Sequence, residues 1–173
     1  MSGHLLRIIQ RRVARVAMGA TAARGQGTPG VVDCAREFAG SIRLDRLATR
    51  DAAQYHRRLD VLTTRLQHKL PKSAASWGLA RKLLNIFIRD CVYVGYFRRA
   101  YGLHLIEAFC EVPLDSITAE RIRKAKPGLP PWPGVKYLTP SVSSQYQLVA
   151  NQLSKLKGIA ALHLDAYWWG ARK

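Results

Sequence analysis

Apolar residues recur at every third or fourth position along most of the chain, which is the spacing of one face of an α-helix. The first such run predicts a helix over 3–18, with apolar positions at Leu5, Ile8, Ile9, Val13 and Val16. Later runs predict a helix that begins near Thr28-Pro29 and further helices over 50–69, 76–101, 105–110, 118–126, 140–157 and 162–169. No segment alternates apolar and polar residues as a half-buried strand does. The pattern therefore predicts an all-α fold of about seven or eight helices.

Residues that favour helix ends bound these runs. Thr49, Ser76 and Thr118 are placed to cap the N-termini of their helices, and Gly102 is placed to end the longest one. Four prolines between positions 128 and 140 predict a Pro/Gly-rich hairpin loop before the penultimate helix. A chain of 173 residues has the length of one domain. We therefore expect a single compact helical domain over 1–173, with a basic helix and a linker over 1–27.

The composition narrows the class of protein. A hydrophobic fraction of 48% excludes wholesale disorder, and no apolar run approaches the roughly 18 residues of a membrane span. Three cysteines, Cys34, Cys91 and Cys110, give no disulfide framework and no closely spaced metal-ligand pair. We expect a cytoplasmic protein of the bacterial type, associated with the nucleoid if it binds DNA, that needs no metal or cofactor and does not bind a membrane. The sequence leaves the oligomeric state open and favours a monomer. The Arg-rich, acid-free start also resembles a mitochondrial targeting segment, which is the alternative to a first core helix.

Charge points to a polyanionic partner. The chain has 28 Lys and Arg against 11 Asp and Glu, a formal net charge of +17, and no acidic residue lies within 61–89 or 121–164. Basic stretches without acidic residues can contact successive phosphates of a nucleic-acid backbone. They predict DNA as the partner, and a duplex rather than a single strand, while RNA is the other possible partner. The residues expected to contact DNA are Arg81, Lys82, Asn85, Arg89, Gly134, Lys136 and Lys155.

Two carboxylates stand in apolar surroundings. Asp90 interrupts the apolar face of the longest predicted helix, where it would either form a structural ion pair or take part in chemistry. Asp165 lies between a Leu-His-Leu run and three aromatic residues, so burial would raise the pKa of its carboxyl group. It is either the cap of a C-terminal helix or a working acid or base.

The end of the chain resembles a known enzyme family. The run Trp132-Pro133-Gly134-Val135-Lys136, a following helix and the segment 164–169 are similar to the core of the helix-hairpin-helix DNA glycosylases, and to the 8-oxoguanine DNA glycosylases among them. The resemblance implies that Asp165 is the catalytic aspartate, that Lys136 stands in the region of the family's lysine, and that Trp169 matches its later tryptophan.

The resemblance implies an activity and a set of residues. A glycosylase flips a damaged or modified base out of the DNA stack and excises it, and a carboxylate stabilises the sugar cation or activates a water. We expect Asp165, Lys136 and Asp90 to be catalytic. The residues expected to form the base pocket are Trp132, Tyr137, Tyr146, Tyr167, Trp168 and Trp169. The alternatives are a non-catalytic basic module that binds DNA or RNA, regulatory or for host defence, and an RNA- or ribosome-associated protein.

Overall fold

Eight α-helices contain most of the residues described by the computed structural model, which covers residues 3–23, 25 and 28–170. In chain order they are α1 (Gly3–Ala17), α2 (Val31–Ser41), α3 (Ala52–Lys69), α4 (Trp77–Tyr93), α5 (Gly95–Tyr101), α6 (Ser116–Ala125), α7 (Pro140–Leu156) and α8 (His163–Gly170). Single 3₁₀ turns lie at Leu44–Arg46, Lys72–Ala74, Leu103–Leu105, Glu107–Phe109 and Val135–Tyr137. No strand occurs in the described ranges, so the all-α prediction is confirmed. None of these helices combines the length and the hydropathy needed to cross a membrane.

Several helix ends differ by a few residues from the predicted ones. Ser76 caps α4 as predicted, because its hydroxyl accepts a hydrogen bond from the backbone N–H of Leu79. The caps of α3 and α6 are Asp51 and Asp115 rather than Thr49 and Thr118. An aspartate carboxylate at this position accepts the orphan N–H groups of the first turn and also suits the positive end of the helix dipole.

The predicted helix over 76–101 is two helices. Val94 has extended backbone angles (φ −79°, ψ 108°), and α5 starts again at the following Gly95. A β-branched residue followed by glycine is a weak pair inside a helix, so the interruption costs little helix propensity. Gly102 ends α5 in the left-handed conformation, as predicted. The predicted helix over 105–110 is instead the pair of 3₁₀ turns on either side of Ile106.

The hydrophobic core is centred on α4, which is buried on most of its surface. Its apolar residues pack with those of α1, α2, α3 and α5 in a first cluster, which includes Phe38, Tyr55 and Phe87. A second cluster joins α6, α7 and α8 and includes Tyr146 and Trp168. The end of the chain therefore folds back onto the same domain, and α8 comes to lie beside α4, since Arg89 of α4 contacts Asp165 of α8.

The Pro/Gly-rich loop before α7 is fixed against the start of α4. Gly78 makes this possible, because a Cβ at that position would lie 2.2 Å from the carbonyl oxygen of Val135 and 2.7 Å from Cβ of Leu138. The 3₁₀ turn Val135–Tyr137 thus rests on the first turn of α4. Gly134, with φ 82°, directs the chain into this turn in a conformation that disfavours other residues.

Candidate functional site

A cleft of about 460 Å³ lies between the end of α1, the middle of α4 and the start of α8. Part of its wall is apolar and formed by small or aliphatic residues, among them Ala17, Ala22 and Ile86. The charged residues that line it are Lys82, Arg89, Asp90, Asp115 and Asp165, and Tyr93 adds an aromatic ring that is half exposed. Asp165 therefore borders a concave site with basic residues beside it.

Arg89 joins the two aspartates that stand out in the sequence. Its Nη2 lies 2.8 Å from Oδ1 of Asp90, and its Nε donates to the same oxygen at 2.9 Å. Its Nη1 donates to Oδ2 of Asp165. Asp90 and Asp165 are thus brought together across one guanidinium group, and Asp90 forms the ion pair that was one of its two predicted roles.

The surroundings of Asp165 raise the pKa of its carboxyl group. Burial raises its pKa, the negative charges of Asp115 and Asp90 raise it further, and the guanidinium of Arg89 opposes both. A carboxyl group with a raised pKa can hold or release a proton closer to neutrality, which general acid–base chemistry requires. Because Arg89 occupies Oδ2, this oxygen reaches a substrate only after the ion pair rearranges.

A chain of polar contacts beside the cleft holds Tyr93 in place. Its hydroxyl lies 3.1 Å from Nδ1 of His163, the first residue of α8, and Nε2 of that histidine lies 2.8 Å from Oε1 of Glu107. Glu107 also accepts from Arg98. Burial would raise the pKa of Glu107, but the hydrogen bonds from Arg98 and His163 hold it below its usual value. No sequence spacing relates Tyr93, His163 and Glu107, and only the folded chain brings them together.

Arg81 and Asn85 are not available to DNA, which corrects their prediction as contacts. Arg81 is 5% exposed and pairs with Glu111 at 2.6 Å and Asp60 at 2.8 Å. Asn85 is 3% exposed and donates to Oε2 of Glu111 at 2.9 Å. These side chains hold Glu111 against α4 and face inward. Lys82 and Arg89 of the same helix line the cleft, but Lys82 is only 8% exposed and Arg89 is held by Asp90 and Asp165.

Lys136 lies away from Asp165. It is exposed in the Val135–Tyr137 turn, where its Nζ stands 5.8 Å from the ring centre of Tyr137, and it is not among the residues that line the cleft. The structure therefore does not place Lys136 and Asp165 in one catalytic site. Gly134 and Lys155 are at the surface, as contacts with a phosphate backbone would require.

Six aromatic residues are expected to form a base pocket, and the five whose side chains the structure describes do not line the Asp165 cleft. Tyr146 is fully buried and donates its hydroxyl to the carbonyl oxygen of Pro130 at 2.8 Å, and Trp168 belongs to the second core cluster. Tyr137 and Tyr167 are exposed, and the Nζ of Lys157 lies 4.4 Å from the ring centre of Tyr167. The side chain of Trp169 lies outside the described residues. Among the described side chains, the aromatic ring that lines the cleft is that of Tyr93, which the sequence did not single out.

Trp132 lines a second, basic concavity of about 670 Å³ at the end of α6. Its ring packs edge-on against Tyr146 with the centroids 5.7 Å apart. Arg123, Lys124 and Lys126 line the same concavity. An aromatic ring beside several cations is an arrangement on which a nucleic-acid base can stack while its phosphates are neutralised.

Among the described residues no group of three or more His, Cys, Asp or Glu side chains is placed to hold a metal ion. Comparisons of the chain with protein-family models, with curated proteins and with solved structures found no match.

Proposed function

We propose that this protein binds DNA and acts as a DNA glycosylase-like enzyme in the cleft between α1, α4 and α8. The observation that supports this function is the position of Asp165, a carboxylate with a raised pKa in a cleft lined by Lys82, Arg89 and Tyr93. Apolar walls, one exposed ring and a desolvated carboxylate are what a pocket for an extruded base needs.

The charged residues of the cleft suit the chemistry of base removal. When the bond between the base and C1′ of the sugar breaks, positive charge develops on the sugar, and the carboxylate of Asp165 stabilises it. A water then adds its oxygen to C1′, and its proton leaves with the excised base. Arg89 attracts a flanking phosphate, and a phosphate that takes over its guanidinium frees Oδ2 of Asp165 for the sugar.

The exposed position of Lys136 favours hydrolysis over lysine chemistry. A Schiff base to the sugar needs an amine at C1′, where Asp165 also acts, and Lys136 does not line that cleft. We therefore expect Lys136 to contact DNA phosphates, and we expect borohydride to trap no covalent adduct through it. Asp90 shares Arg89 with Asp165, so in this proposal it positions the guanidinium group.

The enzyme function is tested by incubating the protein with duplexes that carry a panel of modified bases and then heating in alkali, which breaks the strand at abasic sites. Asp165→Asn should reduce product formation by at least about a hundredfold, as loss of a group that stabilises charge in the transition state does. Asp51→Asn, which changes an exposed carboxylate and keeps a good N-cap residue for α3, is the matched control and should keep full activity. Release of no base by the wild type, or full activity of Asp165→Asn, would overturn the proposal.

A non-catalytic module that binds nucleic acid is the second candidate. The ion pair between Arg89 and Asp165 favours it, because a purely structural aspartate has the same contact. In that case the protein binds DNA without any chemical change in the strand, and Asp165→Asn lowers stability rather than turnover. Thermal unfolding of Asp165→Asn beside the alkali assay separates the two functions.

A further inference from the structure

A groove of about 760 Å³ runs between the end of α2, the Leu44–Arg46 turn and α3, elements that do not line the Asp165 cleft. Five arginines line it, and we call it the arginine groove: Arg43, Arg46, Arg57, Arg58 and Arg65. Its apolar lining includes Val61, which is 58% exposed, and Leu62. A concave surface that combines cations with exposed apolar side chains is suited to an anionic partner with an apolar part.

The charge of the arginine groove is largely uncompensated. Asp45 is the acidic residue that lines it, and Arg43 already holds that carboxylate with two contacts, at 2.7 and 3.0 Å. For the other four arginines, no carboxylate of the described residues lies within ion-pair distance. Cations kept together without counter-charges repel one another, and a bound polyanion relieves that repulsion.

Contacts within the groove position two of its arginines. Arg58 donates through Nη1 to the carbonyl oxygen of Ala48 at 3.1 Å, and the guanidinium of Arg65 lies over the ring of Phe38 at 5.9 Å from its centre. Arg57, Val61 and Arg65 follow one another at intervals of four residues, so they share a face of α3. Arg57 and Arg65 are then about 12 Å apart along the helix axis. One strand of a DNA duplex advances about 3.4 Å per nucleotide, so this distance corresponds to roughly three to four nucleotides.

We propose that the arginine groove binds the sugar–phosphate backbone of a nucleic-acid strand, with guanidinium groups on successive phosphates and Val61 and Leu62 against the sugars. Arginine suits this role because its planar fork matches phosphate oxygens. Ser41 also lines a neighbouring concavity that contains Arg11, Arg15 and Arg36 beside two acidic residues. This continuation makes the basic surface longer than a small anion needs and favours a strand. The inference depends on the nucleic-acid binding in the proposed function and not on the chemistry at Asp165.

Charge reversal tests the groove, with a matched control of the same total charge. Arg57→Glu combined with Arg65→Glu is compared with Lys72→Glu combined with Arg99→Glu, two exposed cations that do not line the groove. The probe is a short mixed-sequence DNA duplex, and its affinity is measured over a series of salt concentrations. The groove variant should bind at least about tenfold more weakly, and the slope of log affinity against log salt should fall by about 2, since each lost phosphate contact removes about 0.9. The control should keep the wild-type slope.

The outcomes separate this inference from the proposed function. If wild type and groove variant bind DNA equally, or if both charge variants lose the same affinity and slope, the groove assignment is wrong while DNA binding stands. If the wild type binds no DNA, both fail. Polyglutamate that competes as strongly as DNA would also overturn the inference, because a carboxylate partner would then fit the groove equally well. Circular dichroism, and the milder pair Arg57→Gln and Arg65→Gln, guard against loss of the fold.

Discussion

Arg81 and Arg89 lie two turns apart on α4, and each is paired with carboxylates from a distant part of the chain. Arg81 binds Glu111, which is almost fully buried, with two hydrogen bonds. Burial alone would raise the pKa of the Glu111 carboxyl group, but the hydrogen bonds and the charge of Arg81 hold it below its usual value. The pair therefore exists in its ionised form at neutral pH. Removing Glu111 leaves the buried guanidinium of Arg81 with the exposed carboxylate of Asp60 as its remaining counter-charge.

Glu111→Gln should destabilise the protein at neutral pH by less than the roughly 3–5 kcal/mol that breaking a buried ion pair from one side usually costs, because Asp60 still pairs with Arg81. Urea unfolding followed by circular dichroism measures the change. Glu120→Gln is the control, because Glu120 pairs with Lys124 on the exposed surface of α6, where the contact is screened by solvent. It should leave the unfolding midpoint unchanged.

The same pair predicts how stability depends on pH. The folded pKa of Glu111 lies below its unfolded value, so its stabilisation is complete above the unfolded pKa and is lost as the pH falls through the folded one. The difference in stability between wild type and Glu111→Gln should therefore be constant at neutral pH and shrink below about pH 4.3, the ordinary value for glutamate. A difference that stays constant through this acid range would show that Glu111 stabilises the fold without its charge.

At this scale the sequence predicts some side chains and misses others. Apolar neighbours along the chain single out Asp90 and Asp165, and of these two carboxylates Asp165 is buried whereas Asp90 stays partly exposed. The expectation that Arg81 contacts DNA is wrong, because Arg81 is buried against Glu111, a residue 30 positions away in sequence. No spacing rule relates a helical arginine to a carboxylate in a later loop, so only tertiary packing determines which arginine of α4 is buried.

Helices are predicted more reliably than the connections between them. Apolar periodicity gives all the long helices to within a few residues, since one buried stripe is enough to define each. The sequence does not predict the helix break at Val94 or the packing of the Pro/Gly-rich loop against α4. Both depend on contacts with other parts of the chain, which apolar periodicity does not describe. Likewise Arg57, Val61 and Arg65 show helical spacing in the sequence, but the facing α2 and Leu44–Arg46 segments make that row a groove.

Gly78→Ala tests the contact between α4 and the Val135–Tyr137 turn. In an isolated helix alanine is more stable than glycine by about 1 kcal/mol, so a free helical position would gain stability. Here the added Cβ would lie 2.2 Å from the carbonyl oxygen of Val135, and the turn must move. We expect a net loss of about 1–3 kcal/mol, as for other overpacked sites, measured by urea unfolding.

Gly95→Ala is the matched control, because nothing lies within 4 Å of a Cβ built at that position in the first turn of α5. It should be neutral or slightly stabilising. If Gly78→Ala were equally harmless, the loop would not be held against α4, and the position of the Pro/Gly-rich segment would have to be revised.

At the scale of the whole molecule, the few acidic residues are used largely for internal contacts. Glu107, Glu111 and Asp165 are partly or mostly buried against basic side chains of the same chain. Their charges therefore do little to offset the exposed arginines and lysines, and the surface is more one-sided than the net charge of +17 alone indicates. A surface of one sign destabilises the compact state by self-repulsion, and that repulsion weakens when a polyanion binds.

This charge balance predicts that salt acts with opposite sign on the free protein and on its DNA complex. For the free protein, added sodium chloride screens the repulsion between surface cations, so the melting temperature should rise.

DNA at about 100 times its Kd should raise the melting temperature at low salt by about 5–10 °C, because it binds the folded state. Salt then weakens the complex by restoring counterions to the phosphates, so the melting temperature with DNA should fall toward that of the free protein. Thermal unfolding across a salt series, with and without a mixed-sequence duplex, measures both trends. A melting temperature that fell with salt in the absence of DNA would mean that exposed ion pairs such as Lys124–Glu120 outweigh the surface repulsion.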